Sequence, residues 1–196
     1  VSLAKMAHST DGELISFDAN GAPAYVATGS DGQVLTSAGA GAAPTFESAA
    51  AVLNHTAGNI LQVVTATTSS AVVNNTYTYA DSGITATITP KFSSSKILVV
   101  CYIAGLTKTS ANAANRIGLK ILRDSTVIDT SLANHYTAVA VLMRGTAVKS
   151  VIDAPNTTSA TTYKLQFANE QNVAQVGVQY DGNSGASVIS LTEIAV

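Results

Sequence analysis

Charge is what this chain of 196 residues has least of: Asp, Glu, Lys and Arg together make up 11% of it, against roughly 25% in an ordinary globular domain. Ser, Thr, Asn, Ala and Gly fill the vacant places, which gives a neutral polar surface suited to closely packed subunits. Lys+Arg 10 against Asp+Glu 12 leaves a net charge of -2, so the electrostatic footprint of a nucleic-acid or anionic-membrane binder is missing. Neither is expected as a partner. The single cysteine, Cys101, excludes a disulfide framework within the chain. It lies in the apolar run Ile97-Leu98-Val99-Val100-Cys101-Tyr102-Ile103 and reads as a small buried hydrophobe, with no histidine adjacent in sequence to sharpen a thiolate. Long hydrophobic runs are lacking, so no membrane insertion is expected, and the N-terminus has no signal-peptide pattern. The first residue, Val1, fits either loss of an initiator methionine or a piece of a longer protein.

The constellations of catalysis are lacking too. There is no Gly-rich loop ending in Gly-Lys-Ser/Thr, no pair of histidines at helical spacing and no nucleophile elbow. Gly39 and Gly41 are not followed by the third glycine and helix of a dinucleotide loop. The carboxylates Asp124, Asp129, Asp153, Glu170, Asp181 and Glu193 are scattered, mostly beside turn residues, where turn chemistry accounts for them. The loop from Tyr180 to Gly185 has too few carboxylates for calcium, and the Asn-x-Ser/Thr triplets at Asn54, Asn74 and Asn156 follow from composition. The expectation is a protein that is not an enzyme and holds no cofactor or metal.

What is present begins with a repeat. Asp11-Gly12-Glu13-Leu14-Ile15-Ser16 is echoed by Asp31-Gly32-Gln33-Val34-Leu35-Thr36, and each copy runs into a Gly/Ala-rich turn, a proline and an aromatic: Pro23 and Tyr25, then Pro44 and Phe46. One short apolar strand and a turn per copy cannot bury a core, so the partner must be the neighbouring copy or the same segment of other chains. Leu14, Ile15, Phe17, Tyr25, Val34, Leu35, Phe46 and Leu53 are therefore the candidate assembly and anchor residues. An alanine-rich stretch from Glu47 to Asn54 follows. Phe46, Ala50 and Leu53 fall at helical spacing, which suits a short bundled neck, and a plain linker fits equally.

From Gly58 onwards β signals dominate. Ile84–Thr89 alternates and stops at Pro90, which predicts a peripheral strand, while Ile97–Ile103 predicts a central one buried on both faces. Ile117–Leu122 and Val127-Ile128 flank Arg123-Asp124-Ser125 as a hairpin. Further strands are predicted at Val139–Met143, Thr146–Ile152, Thr162–Phe167, Val173–Gln179 and Ser187–Ile194. The organisation predicted is an extended repeat or shaft region at 1–46, a neck or linker at 47–57, and an all-β, jelly-roll-like antiparallel β-sandwich at 58–196.

The repeat region, from Asp11 to Gly21 and from Gly32 to Phe46, resembles a segment common in tail-fibre and other virion proteins of bacteriophages. The remainder resembles the β-domain often joined to it, through Leu61-Gln62-Val63-Val64, Ile88-Thr89-Pro90, Ser93–Val99, Leu122-Arg123-Asp124-Ser125-Thr126, Asp153-Ala154-Pro155, Thr161–Gln166 and the ending Ser190–Ala195. The resemblance implies a virion structural protein, a homotrimer, with an N-terminal shaft or anchor contacting other virion proteins and a C-terminal β-knob. Only two repeats are present, which suits a short spike, a fibre tip or a head-surface decoration protein better than a long fibre. A polysaccharide-degrading spike would need carboxylates clustered in the assembled trimer. For a knob that meets a host surface glycan, loops rich in amides, hydroxyls and aromatics are the candidate receptor-binding patches: Asn112, Asn115 and Arg116; Asn134, His135 and Tyr136; Tyr180, Asp181 and Asn183. The duller reading of the second is that His135 beside Tyr136 packs between subunits.

Overall fold

Period-2 alternation becomes fourteen β-strands and, among the described residues, no helix. The computed structural model describes residues 11–48, 57–109, 113, 115–171, 174–180 and 185–196. The chain divides into two units, Val1–His55 and Thr56–Val196.

In the first unit each repeat is a hairpin: β1 (Leu14–Phe17) with β2 (Pro23–Val26), and β3 (Gln33–Thr36) with β4 (Thr45–Ser48). The repeated Asp-Gly has a conformational cause, because Gly12 and Gly32 take φ of 86° and 80°, left-handed backbone just ahead of each first strand. Asp18 closes the first turn by accepting the N–H groups of Asn20 at 2.8 Å and Ala22 at 2.9 Å. Pro23 opens β2 and Pro44 immediately precedes β4, positions where a missing N–H costs no ladder bond. β4 overturns part of the neck expectation. Phe46, Glu47 and Ser48 are strand, so Phe46 cannot begin a helix, while Ala50 and Leu53 lie outside the described residues.

The second unit is an antiparallel β-sandwich. One sheet holds β7 (Ala80–Ile88), β12 (Thr161–Asn169), β9 (Asn115–Arg123) and β10 (Thr126–Thr137), side by side in that order. The other holds β5 (Ile60–Thr68), β14 (Ser187–Ile194), β8 (Lys96–Lys108) and β11 (Met143–Asp153). The short β6 (Val72–Asn74) and β13 (Val176–Val178) extend it beside the far end of β8. Counting only the eight long strands, the sheets take them as first-eighth-third-sixth and second-seventh-fourth-fifth, the double Greek key of a jelly roll. The core is the interdigitated inner faces, with Ile84, Ile88, Ile117, Leu119, Ile121, Tyr163, Leu165 and Phe167 from one sheet meeting Ile97, Val99, Cys101, Ile103, Ile189 and Leu191 from the other.

Three strand expectations need correction. Val139–Met143 is not a strand: residues 138–142 connect β10 to β11, and the Val141 N–H donates to the Val139 carbonyl at 2.9 Å in a turn that leaves Val139, Val141 and Leu142 exposed. β13 is shorter than Val173–Gln179. Ile97–Ile103 is central but one-sided, with Leu98, Val100 and Tyr102 on the outer face; burial on both faces begins only where β8 continues from Ile103 to Lys108.

Candidate functional site

The register of the β11-β8-β14-β5 sheet fixes what its outer face presents. Three rows cross four strands: Val148, Tyr102, Val188 and Thr67; then Ser150, Val100, Ser190 and Thr65; then Ile152, Leu98, Thr192 and Val63. All twelve positions are apolar or hydroxyl-bearing. Val148 is 66% exposed and Ile152 60%. Between them Lys149 turns inward, 8% exposed, and pairs with Asp129 of β10 at 2.5 Å, tying the outer strands of the two sheets.

The opposite outer face has another character. Lys164 pairs with Asp81 at 3.0 Å, Gln166 donates to Asp81 at 2.7 Å, and the Lys120 ammonium stands 3.6 Å from the centre of the Tyr79 ring. The Tyr79 hydroxyl bonds Glu170 directly above Gly118, where a Cβ would have no room. Burial, then the bond to Glu170, raises the Tyr79 pKa well above its ordinary value. Sequence reasoning missed this cluster, which joins β9 to residues from outside it.

The described receptor candidates partly converge. Pairing of β9 with β10 sets Asn134 opposite Ile117 and Thr137 opposite Asn115, so Asn115-Arg116 and Asn134-His135-Tyr136 occupy one end of one hairpin rather than two loops. Asn115 is fully buried, with neither amide atom partnered, and as placed offers nothing to a receptor. The Asn134 amide donates to the Ile117 carbonyl at 3.1 Å and to the Ser131 hydroxyl at 3.0 Å, which holds an irregular part of β10. His135 takes φ of 53° and packs its ring against Gly145 of β11 in its own chain; burial lowers its pKa. Tyr136 and Tyr180 are exposed and Arg116 partly so. Asn112, Asp181 and Asn183 lie outside the described residues.

The carboxylates weighed for catalysis hold structure. Asp153 accepts from Arg123 Nη1 at 2.9 and 3.0 Å and from the Tyr163 hydroxyl at 2.8 Å. Asp124, in left-handed backbone at the β9–β10 turn, accepts the Thr162 N–H at 3.0 Å. Glu193, fully buried, accepts the N–H groups of Lys91 at 2.7 Å and Phe92 at 3.4 Å and the Gln62 amide at 2.5 Å. Among the described residues no three His, Cys, Asp or Glu side chains come together as a metal site. Cys101 is buried, and burial pushes its thiol up to about 12 against a smaller opposing pull from Lys149.

In the first unit the assembly candidates Leu14, Ile15, Phe17, Tyr25, Val34 and Leu35 are all exposed, Phe17 by 64%. A cavity of about 390 Å³ lies between the hairpins, lined by Tyr25, Val26, Pro44 and Phe46 among others. Phe46 packs closely on Gly29.

No protein-family model and no curated protein matches the chain. Among solved structures it is similar to dimeric latent PorU from Porphyromonas gingivalis, with a TM-score of 0.32, 10% identity, and coverage of 71% of this chain and 14% of that one. It is also similar to the infectious bursal disease virus VP2 subviral particle, with a TM-score of 0.34, 12% identity and coverage of 88% and 44%. For the T=1 particles derived from the same virus the values are 0.34, 14%, 88% and 42%. The chain thus spans less than half the length of each. Likenesses this distant leave the fold to the strand order and the function to the surfaces.

Proposed function

We propose that the chain is a bacteriophage virion structural protein, a trimeric tail fibre or short spike whose hairpin repeats anchor it to other virion proteins and whose β-sandwich knob meets the host cell surface. The observation that carries this reading is the first unit, where two successive hairpins leave six large apolar side chains exposed. Two-stranded sheets with that much apolar surface are not stable alone, and neighbouring chains or virion proteins supply the missing cover. The resemblance of the repeats to virion proteins points the same way. Host glycan would be met by the exposed Tyr136 and Tyr180, the partly exposed Arg116 and the polar face around Tyr79, with weak sites multiplied by the trimer. No catalytic role is proposed, since Asp124, Asp129, Asp153, Glu170 and Glu193 each hold a structural partner.

A head-surface decoration protein is the second reading: the two hairpins among the described residues suit attachment to a capsid as well as to a tail. Immunogold labelling of intact virions with antibody against residues 58–196 separates the two. Gold at the tail, with soluble protein blocking adsorption, supports host attachment. Gold over the head replaces it with decoration, and absence of label from virions overturns both.

A further inference from the structure

Where β8 stops and β9 starts, the two sheets enclose a small polar group. Lys108, the last residue of β8, stands between Met143 of β11 and Val176 of β13 in the register of its sheet. Val176 belongs to the core, so its cross-strand partner Lys108 also points inward, and it is fully buried. Asn115 opens β9 two residues before the core residue Ile117 and shares its face, again fully buried. Thr137 of β10 lies directly opposite Asn115, a pairing that sets Cβ atoms about 5 Å apart. The Lys108 side chain donates to the Thr137 hydroxyl, so it crosses from one sheet to the other and ends beside Asn115. Neither the oxygen nor the nitrogen of the Asn115 amide has a hydrogen-bond partner among the described residues. A buried amide left in that state calls for a chemical reason.

We propose that Lys108 and Asn115 join in an isopeptide bond, a covalent tie between the two sheets that the chain forms by itself. The neutral Lys108 amine attacks Cγ of Asn115, and the Nζ–Cγ bond forms as the Cγ–Nδ2 bond breaks. The proton that Nζ gives up passes to the Thr137 hydroxyl along the hydrogen bond already present, while the hydroxyl's own proton goes to Nδ2, which leaves as ammonia. An amine and a primary amide thus become a secondary amide and ammonia, with no oxidant, reductant or cofactor. Attack at Cγ comes from above the plane of the amide, whereas hydrogen bonds to its oxygen lie near that plane, so an adjacent amine and an unbonded amide are compatible. Burial favours the uncharged amine and lowers the Lys108 pKa. Holding both groups on strands of facing sheets supplies the proximity that the exchange needs. The product removes at once the buried charge that Lys108 carries when protonated and one unbonded donor of Asn115, which drives the reaction forward.

The test is mass spectrometry of the full chain, folded, purified and then denatured. The wild type is expected to be lighter than its sequence by one ammonia, and Lys108→Met and Asn115→Ala to have the masses of their own sequences. In a tryptic digest the loss should map to residues 97–116, uncut after Lys108, with no backbone fragments that separate residue 108 from residue 115, because the link closes a ring. Thr137→Val keeps both reacting groups and should lose ammonia at least about 100-fold more slowly; an unchanged rate would overturn the proton route. Asn20-Gly21 is a second place where ammonia is lost, by backbone cyclisation, and that loss would map to its own peptide and persist in Lys108→Met. A wild type that keeps its sequence mass after prolonged incubation, as it would if a buried water satisfied Asn115, overturns the proposal, and so does a loss that survives Lys108→Met. The wild-type mass is read on the natural chain, so a variant that fails to fold does not obscure the answer, and the result is independent of where on a virion the chain sits.

Discussion

Single residues here are mostly fasteners, and Glu193 shows the pattern. The chain turns after Pro90 with the N–H groups of Lys91 and Phe92 directed at a fully buried carboxylate from β14, which also holds Gln62 of β5. Glu193→Ala strands those donors and should cost about 3 kcal/mol in denaturant unfolding, lowering Tm by about 8 °C. Glu193→Gln keeps an acceptor oxygen and should cost less. Cys101 supports a prediction of the opposite kind. With its thiol pushed up to about 12, a disulfide reagent at pH 8 should leave the native chain unlabelled and label one thiol after unfolding. In the unfolded chain the thiol ionises near 9 while in the fold it keeps its proton, so the unfolded state binds fewer protons between about 9 and 12. This group's contribution is therefore fully present below pH 9 and is lost as pH rises through that window, at up to about 1.4 kcal/mol per pH unit. Cys101→Ala should remove that part of the alkaline slope.

At the scale of elements, what the sequence made legible depended on how much of an element's pattern is local. Ser187–Ile194 is a strand with the bounds expected from its alternation, and the Arg123-Asp124-Ser125 turn joins the expected hairpin, because both rest on neighbouring residues. Val139–Met143 misled because its valines alternate as a strand's would, yet a turn bond at Val141 breaks the ladder. The meeting of Asn115 with the Asn134 region was not legible at all, since it depends on register shifts between Val127 and Thr137. Lys149 was equally hidden: only strand pairing shows that this lysine points inward at Asp129. The pair predicts an asymmetry. Asp129→Ala leaves a buried ammonium unpaired and should destabilise by about 2 to 3 kcal/mol, whereas Lys149→Met leaves only a partly exposed carboxylate and should stay within about 1 kcal/mol. Thermal melts of the two variants would check this, and equal losses would sink it. Lys149→Met should also aggregate faster on heating, having lost the charge that guards the β11 edge.

At the scale of the whole molecule the two units have unequal means of support. Every residue of the buried core cluster lies between Ile84 and Leu191, inside the second unit, and the jelly roll joins strands from both ends of that segment. That order could not be read from sequence, because nothing in β5 or β14 announces that the first and last long strands pair. A fragment of residues 56–196 should consequently melt in one cooperative step with a β-sheet spectrum. Among the described residues of the first unit one large apolar side chain is in the buried class, Val26, against six exposed ones, and the sheets they form are two strands wide. Burial of that kind does not offset the ordering of its backbone. Residues 1–55 alone should therefore show a disordered circular dichroism spectrum at low concentration, and should gain β signal when concentrated or when fused to an unrelated trimeric coiled coil, since association is then what stabilises them. A monomeric 1–55 fragment that melts cooperatively would show that the hairpins stand on their own, and the apolar side chains they expose would then have to be explained without neighbouring chains.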